Sequence, residues 1–455
     1  MAILFWLWPK AALRNLWIDC FLLFRLHLMI RVLHVINSFG RGGSETQLLQ
    51  ILKEYDRTQF HIEASTIGSE PGLLAHAARE LGSEILSCPK SPNLFSFSRR
   101  VAREIHEKQY HIVHAHFDAW SGPILRGAAQ AGVPVRIAHL RSSGAQGMGV
   151  ANTRLARIGR NIVVRLGRHW IERYATHVLG VSGAALDARW PGWQSNPQRF
   201  MVWTAGVDCR YFSPGNTHSS IHKIPHPNPL PKGEGASGFG GVPDVRPITN
   251  QSAGFDTVSS PNIVCVGNFF LRSKRQDLAL RIFSLVRKSV PSARLVFVGH
   301  GTYEKDCREL AEELGVAGFV DFVGLRDRRE VLNLLRAATV FLSCSESEGL
   351  PNVLLEAQAV GVPVVASDIP ANREALAPDF HDYLFRHDRL ESACAYVLRF
   401  LTDPELRTRL GRIGRRHVQT HYDSTRCLAR LETLYKTLVQ DFMNTVASTT
   451  TVPTK

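Results

Sequence analysis

Two glutamates eight positions apart, Glu348 and Glu356 in SEGLPNVLLEA, are the acids whose spacing most constrains a ligand. Gly349, Leu350 and Pro351 read as the start of a helix, with proline at the first helical position. Backbone N–H groups at such a start are free to meet an anion. In an unbroken helix eight residues span about 12 Å, too far for both acids to hold one hydroxyl. The spacing suits a ligand with two polyhydroxylated ends joined by phosphates. Glu348 would accept hydroxyls at one end and Glu356 at the other; the alternative is a capping acid and a surface acid. Cations for the phosphates occur in VGNFFLRSKRQD, where Lys274 is flanked by Arg272 and Arg275. Gly299 and Gly301 close a later strand and permit close backbone approach. In GRGGSE, Gly42 and Gly43 could present amides to a phosphate at a helix start, or simply turn the chain. The spacing is not G-x-G-x-x-G. His114 and His116 alternate in HIVHAHFDAW and so point the same way from a strand. One imidazole could bond a polar substrate, or both could be structural. For a metal, Asp118 is the only further ligand in view.

These residues need a scaffold, and the pattern supplies one. From Met29 the chain alternates strand, loop and helix: IRVLHVI, TQLLQILKEY, HIEASTIG, PGLLAHAARELG, HIVHAHF, SGPILRGAAQAG, VPVRIAHL. A second series runs from NIVCVGNF through QDLALRIFSLVRKSV, ARLVFVGHG, EKDCRELAEELG, FVDFVG, REVLNLLRAA and TVFLSC to PVVAS. Such alternation predicts parallel sheets covered by helices, with ligands at the strand C-termini. The expected domains are 29–212 and 261–400, followed by helices over 401–440 and a disordered tail over 441–455. Residues 213–260, with PHPNPLPKGEG at their centre, are poor in large apolar residues and read as a disordered linker or insertion. Residues 1–28 are apolar but interrupted by Lys10, Arg14, Asp19 and Arg25, so no run reaches the ~20 residues of a membrane span. They read as an interfacial anchor or as the product of an upstream start codon.

Length and composition agree. The chain has 455 residues, more than one compact core accommodates, and its 44% hydrophobic and 21% charged content is that of a globular protein. A net charge of +14 calls for an anionic neighbour: nucleic acid, membrane or phosphorylated substrate. Eight scattered cysteines without a C-x-x-C pair indicate neither a zinc site nor a disulfide framework, and favour a reducing cytoplasm.

The combination of GRGGSE, IVHAHFDAWSG, VSGAAL, GVDCRYFSP and SEGLPNVLLEAQAVGVPVVASDIP resembles glycosyltransferase family 4, of the GT-B fold, from Met29 to about Val439. The most specific part is E-x7-E, Glu348 and Glu356. The resemblance implies an α/β GT-B architecture. Two Rossmann-like αβα domains would carry parallel sheets facing a central cleft, the first binding the acceptor and the second the nucleotide-sugar. The C-terminal helices would pack back toward the N-terminal domain. It implies that Glu348 contacts the donor sugar, Glu356 the nucleotide ribose and Lys274 the diphosphate, with Arg272 able to share that role. His116 would lie at the transferred sugar, with His114 and Arg141 on the acceptor side. The family's usual arginine after V-G is Asn268 here.

The implied activity is a retaining hexosyl transfer from a UDP- or GDP-sugar to a glycan or lipid-linked acceptor, without a metal or other cofactor, in exopolysaccharide or lipopolysaccharide synthesis. A glycosidase would need both acids flanking one bond. A dehydrogenase would need the missing glycine fingerprint. Neither that nor nucleic-acid binding accounts for the whole pattern. From Arg154 to Arg173, arginines 154, 157, 160, 165 and 168 share one helical sector, with Leu155, Ile158, Ile162, Leu166 and Trp170 largely opposite. Such a helix suits either an anionic membrane surface or an ordinary core-facing position. With a polyprenyl-linked acceptor, it predicts a cytoplasmic protein, peripheral at the inner face of the plasma membrane.

Overall fold

A computed structural model describes residues 29–40, 43–91, 93–142, 154–215 and 261–450, with only the backbone at 154–157 and 449–450. Residues 1–28, Gly42, most of the expected linker and 451–455 lie outside the described residues. The chain forms two compact units, residues 1–206 with 424–455, and residues 207–423.

The first unit is built on seven strands: β1 (Ile30–Ile36), β2 (Phe60–Thr66), β3 (Ile85–Ser87), β4 (Ile112–Ala115), β5 (Val135–Leu140), β6 (His177–Gly180) and β7 (Phe200–Val202). All pairs are parallel, in the order β3-β2-β1-β4-β5-β6-β7. Strands buried on both faces read as continuous β-branched and apolar runs, and Val32, Ile112 and Ile137 are wholly buried. Separate apolar clusters cover the sheet. One includes Phe97, Val101 and Ile124. The other takes Leu428, Leu431, Tyr435 and Leu438 from the last helix, Ser424–Thr450.

The second unit has six parallel strands: β8 (Asn262–Val266), β9 (Arg294–Val298), β10 (Val320–Gly324), β11 (Val340–Ser343), β12 (Val364–Ser367) and β13 (Leu384–Phe385). Their order is β10-β9-β8-β11-β12-β13. In both sheets the order reverses beside the first strand, at β1/β4 and at β8/β11. At such a reversal the loops after neighbouring strands diverge and leave room for a ligand.

Several expected boundaries move. The first unit ends at Gly206, not 212, because Val207–Phe212 joins the second core. Val207 bridges Asp423, and the Arg415 guanidinium donates to the carbonyls of Phe212 (3.1 Å) and Cys209 (3.4 Å). The C-terminal helices divide: Pro404–His421 stays with the second unit, and Ser424–Thr450 belongs to the first. The tail expected to be disordered from 441 is helical to Thr450. β3, β6, β7 and β13 were not expected; β3, β7 and β13, with two or three residues each, are too short to show a pattern.

Gly299 and Gly301 act within the fold. Their φ values are +139° and +152°, and a Cβ on Gly301 would fall on the backbone of Phe269 and Phe270. They let the loops after β8 and β9 touch, sealed by Phe269 N–H to His300 O (2.9 Å) and Tyr303 N–H to Phe269 O (2.9 Å). Gly301→Ala should therefore lower unfolding free energy by about 3 kcal/mol, through strain and clash together. Urea denaturation of the full chain measures this; an unchanged midpoint would show that the two loops can part freely.

Candidate active site

In the second unit, chemistry gathers where the strand order reverses. β8 and β11 are parallel neighbours, pairing Ile263 with Val340 and Val264 with Phe341, so the loops after them leave side by side. Ser273 O accepts from Glu346 N–H at 2.8 Å, joining those loops across 73 positions. After β8 the chain makes a single 3-10 turn, Arg272–Lys274. Arg275 follows in the left-handed conformation, φ 50°, which is costly for a residue with a Cβ. It is held there by a two-pronged pair with Asp277 (3.0 Å each) and a contact to Glu346. These carboxylates hold the Arg275 guanidinium charge in place.

The result is that Lys274 Nζ donates to Glu348 Oε1 at 2.6 Å, with both side chains largely covered. Two residues singled out 74 positions apart are thus in contact. Arg272 turns elsewhere: it pairs with Asp306 at 2.5 Å and stacks on Tyr303 at 4.2 Å. Arg275 is neutralised as described. The expected three-cation cluster therefore presents Lys274 at the acid, with its neighbours committed to structure.

Gly349 and Pro351 are buried and Leu350 packs on the core. The helix spans Asn352–Val360, so Pro351 stands at its N-cap and not at the first helical position. Glu356 is the fifth residue of that helix. Although part of its surface is open, the surrounding protein pushes its carboxyl up to about 7, with the Arg328 charge pulling the other way. Burial thus favours the protonated form of Glu356.

In the first unit, three adjacent strands each place histidine near a C-terminus: His34 on β1, His114 and His116 at β4, His139 on β5. Register sets His34 directly beside His114. All four are buried. His34 Nδ1 lies 2.8 Å from His116 Nε2, and His114 Nε2 lies 3.1 Å from His139 Nδ1. Tyr435 Oη, from the last helix, sits 2.6 Å from His114 Nδ1 and 3.2 Å from His34 Nε2. His139 Nε2 meets the Trp203 carbonyl at 3.1 Å. Burial, with help from the Arg141 charge, pushes His34 down to about 3 and the other three well below the ordinary imidazole value. All four are therefore neutral around pH 7.

Asp118 is not the partner of these rings. It accepts from Ser142 Oγ (2.5 Å), Arg189 Nη2 (3.3 Å) and Arg141 N–H (3.3 Å). The third nitrogen donor in reach of His114 and His116 is His34, with ligand atoms within 4.8 Å of one another. The hydrogen bonds above already employ most of those nitrogens. His114, expected on the acceptor side, has both ring nitrogens taken inside the protein. Arg141 donates to Gln47 and its guanidinium is pushed down to about 10 by burial. Gly43 opens the helix Gly43–Glu54 after β1. His34, His139 and Tyr435 were absent from the expected site. A signal for the first two exists: a lone histidine in each otherwise apolar run VLHVI and IAHL. Tyr435 has none, because only packing brings the last helix to this sheet.

Two Rossmann-like units, each built on a parallel sheet, are the parts of the GT-B glycosyltransferase architecture. Comparison with known proteins agrees. The sequence model of the glycosyl transferase 4-like domain matches residues 42–197, and that of glycosyl transferases group 1 matches residues 250–417. The chain belongs to the family 4 type of glycosyltransferases. It is 26% identical to EpsF of Bacillus subtilis (strain 168) over 353 residues, 74% of this chain and 79% of that protein. It is likewise 26% identical over 352 residues to the capsular polysaccharide biosynthesis glycosyltransferase CapH of Staphylococcus aureus, covering 76% of this chain and 83% of CapH. In fold it is similar to Anabaena HepE, crystallised with UDP and glucose: TM-score 0.67, 16% identity, 89% of this chain and 99% of that one.

Glu356 carries a measurable consequence. Its folded value near 7 lies above the ordinary 4.5, so the folded chain binds this proton more tightly than the unfolded one. Its contribution is intact below pH 4.5 and falls away as pH rises through 7, by at most about 3 kcal/mol. Glu356→Gln should melt higher than the parent at pH 8, with the gap closing near pH 4. A gap equal at both pH values in thermal denaturation would show that Glu356 is not held protonated by its surroundings.

Proposed function

We propose that this enzyme transfers a hexosyl group from a UDP- or GDP-sugar to a hydroxyl of a glycan or polyprenyl-linked acceptor, in cell-surface polysaccharide synthesis, with retention at the anomeric carbon and no metal requirement. The observation that carries this reading is the Lys274–Glu348 contact at the β8/β11 reversal. A nucleoside diphosphate draws the ammonium of Lys274 to its phosphates. Glu348 takes sugar hydroxyls, and Glu356 takes the ribose. As the bond from the anomeric carbon to the leaving phosphate oxygen breaks, Lys274 holds the charge that develops there. The acceptor hydroxyl adds from the same face, and its proton passes to that phosphate oxygen. In the first unit, His116 takes a hydroxyl of the sugar, and Arg141 serves the acceptor side. The relation to CapH supports a polysaccharide product, and the UDP complexes of HepE support a uridine donor.

A membrane-surface acceptor has its own support. In the helix Arg154–Tyr174, Trp170 is buried, but Ile158 and Ile162 are 50% and 57% exposed, beside exposed Arg165 and Arg168. Apolar side chains open to solvent next to arginines suit anionic lipid. No described helix is long and apolar enough to cross a membrane. The seven described cysteines are all free and buried, which fits work at the cytoplasmic face.

Lys274→Ala and Glu348→Ala should each reduce transfer by about a hundredfold, while EDTA leaves it unchanged. A thermal-shift panel of UDP-, GDP- and ADP-sugars should show one stabilising donor, and NMR of the product should show retained configuration. Parental rates in both variants would overturn the site; an inverted product or chelator-sensitive transfer would overturn the mechanism. Liposome co-sedimentation should show binding to anionic vesicles that salt and Ile162→Asp both weaken. Equal binding to neutral vesicles would remove the membrane contact.

A further inference from the structure

We propose that Tyr435 and His139, acting through His114 and His34, form a buried relay that fixes the tautomer of His116 and leaves its Nδ1 as a bare acceptor for a substrate hydroxyl. The relay has one end whose chemistry is unambiguous. The Trp203 carbonyl can only accept, so His139 Nε2, 3.1 Å away, must carry the proton. In a neutral ring that leaves His139 Nδ1 bare, and it accepts from His114 Nε2–H at 3.1 Å. His114 Nδ1 is then bare and accepts the Tyr435 hydroxyl proton at 2.6 Å. That hydroxyl has one proton, already given, so the 3.2 Å contact must be His34 Nε2–H donating to Tyr435 Oη. His34 Nδ1 is bare in turn and accepts from His116 Nε2–H at 2.8 Å. Every donor meets one acceptor, and the chain ends at His116 Nδ1.

That last atom is the informative one. His116 Nδ1 is buried and has no hydrogen-bond partner within the protein. Leaving a buried polar atom unpaired is costly, and the relay denies this atom the proton that would change its role. His116 therefore offers a lone pair, in fixed direction, to a ligand O–H or N–H, and rejects a ligand acceptor at the same place. A polyhydroxylated substrate meets that requirement at its alcohols; a phosphate or carboxylate anion does not. Direction also matters across the relay. Reversing any one bond would require a second proton on Tyr435 Oη or a proton on the Trp203 carbonyl, so five side chains share one allowed arrangement. This inference rests on the reading that His116 meets the sugar, but the tautomer it assigns is a property of the protein without substrate.

Two measurements separate the relay from the transferase reading. Long-range 15N–1H correlation on the 15N-histidine-labelled full chain, without ligand, should show His116, His34 and His139 with these tautomers: protonated at Nε2 and bare at Nδ1. Tyr435→Phe removes both the donor to His114 and the acceptor for His34. It should leave His34 and His116 as tautomer mixtures, while the His139 signal, still anchored on Trp203, keeps its form. In the transfer assay the same variant should lose about three- to tenfold in kcat with donor KM nearly unchanged. His139→Gln, in a chain shown by circular dichroism to be folded, should disturb the His114 signal in the same way. A wild-type His116 carrying its proton on Nδ1, or an unaltered His116 spectrum in Tyr435→Phe, overturns the relay even if sugar transfer is intact. The expected tautomers in a chain that transfers no sugar leave the relay standing and remove the transferase assignment for His116 alone.

Discussion

The strand-order reversal at the centre of each sheet is the constraint on which the sites depend. Parallel strands send their loops to one edge, and at a reversal the helices on either side leave in opposite directions. Only there do two loops far apart in sequence emerge side by side with space above them. At β8/β11 this makes neighbours of Lys274 and Glu348. At β1/β4 it aligns His34 with His114 in register, and β5 adds His139 alongside. The two sites are different answers to one geometry: the second unit collects opposite charges, the first collects neutral rings.

Both answers carry a cost in stability that the scaffold offsets. Glu356 is held where its charge is disfavoured. Four imidazoles are buried with lowered basicity in a sheet that could otherwise be wholly apolar. Arg275 sits in a left-handed conformation that needs two acids to secure it. Around these groups the core is conventional, with wholly buried Phe297, Phe341 and Phe400 in the second unit and Phe60 and Phe97 in the first. Sites of this kind are expected to be locally less stable than their surroundings, because a group satisfied fully by the protein has nothing left for a ligand.

The fold class and the long strands were legible because a period of two or a continuous β-branched run survives in the sequence. IRVLHVI is β1 to the residue, and β8 is the first five residues of NIVCVGNF. Residue type and loop position singled out Lys274 and Glu348, and the structure brings the two into contact. What escaped was whatever depends on contacts between distant segments. The two-residue strand β13 exists only because β12 offers it an edge. Arg272 and Lys274 look alike in LRSKRQ, yet Asp306 on the helix Glu304–Glu313 and Tyr303 at its N-cap claim one of them.

Sequence alone determined the alternation of elements, the two-unit α/β architecture and the identity of the E-x7-E acids, because each is a local pattern of side-chain size and polarity. Tertiary structure decided which of those groups are still available for chemistry. Whether an imidazole is a ligand contact or a buried link turns on what lies across the sheet from it. For His114 that is Tyr435, 321 positions away, and only the docking of the last helix places it there.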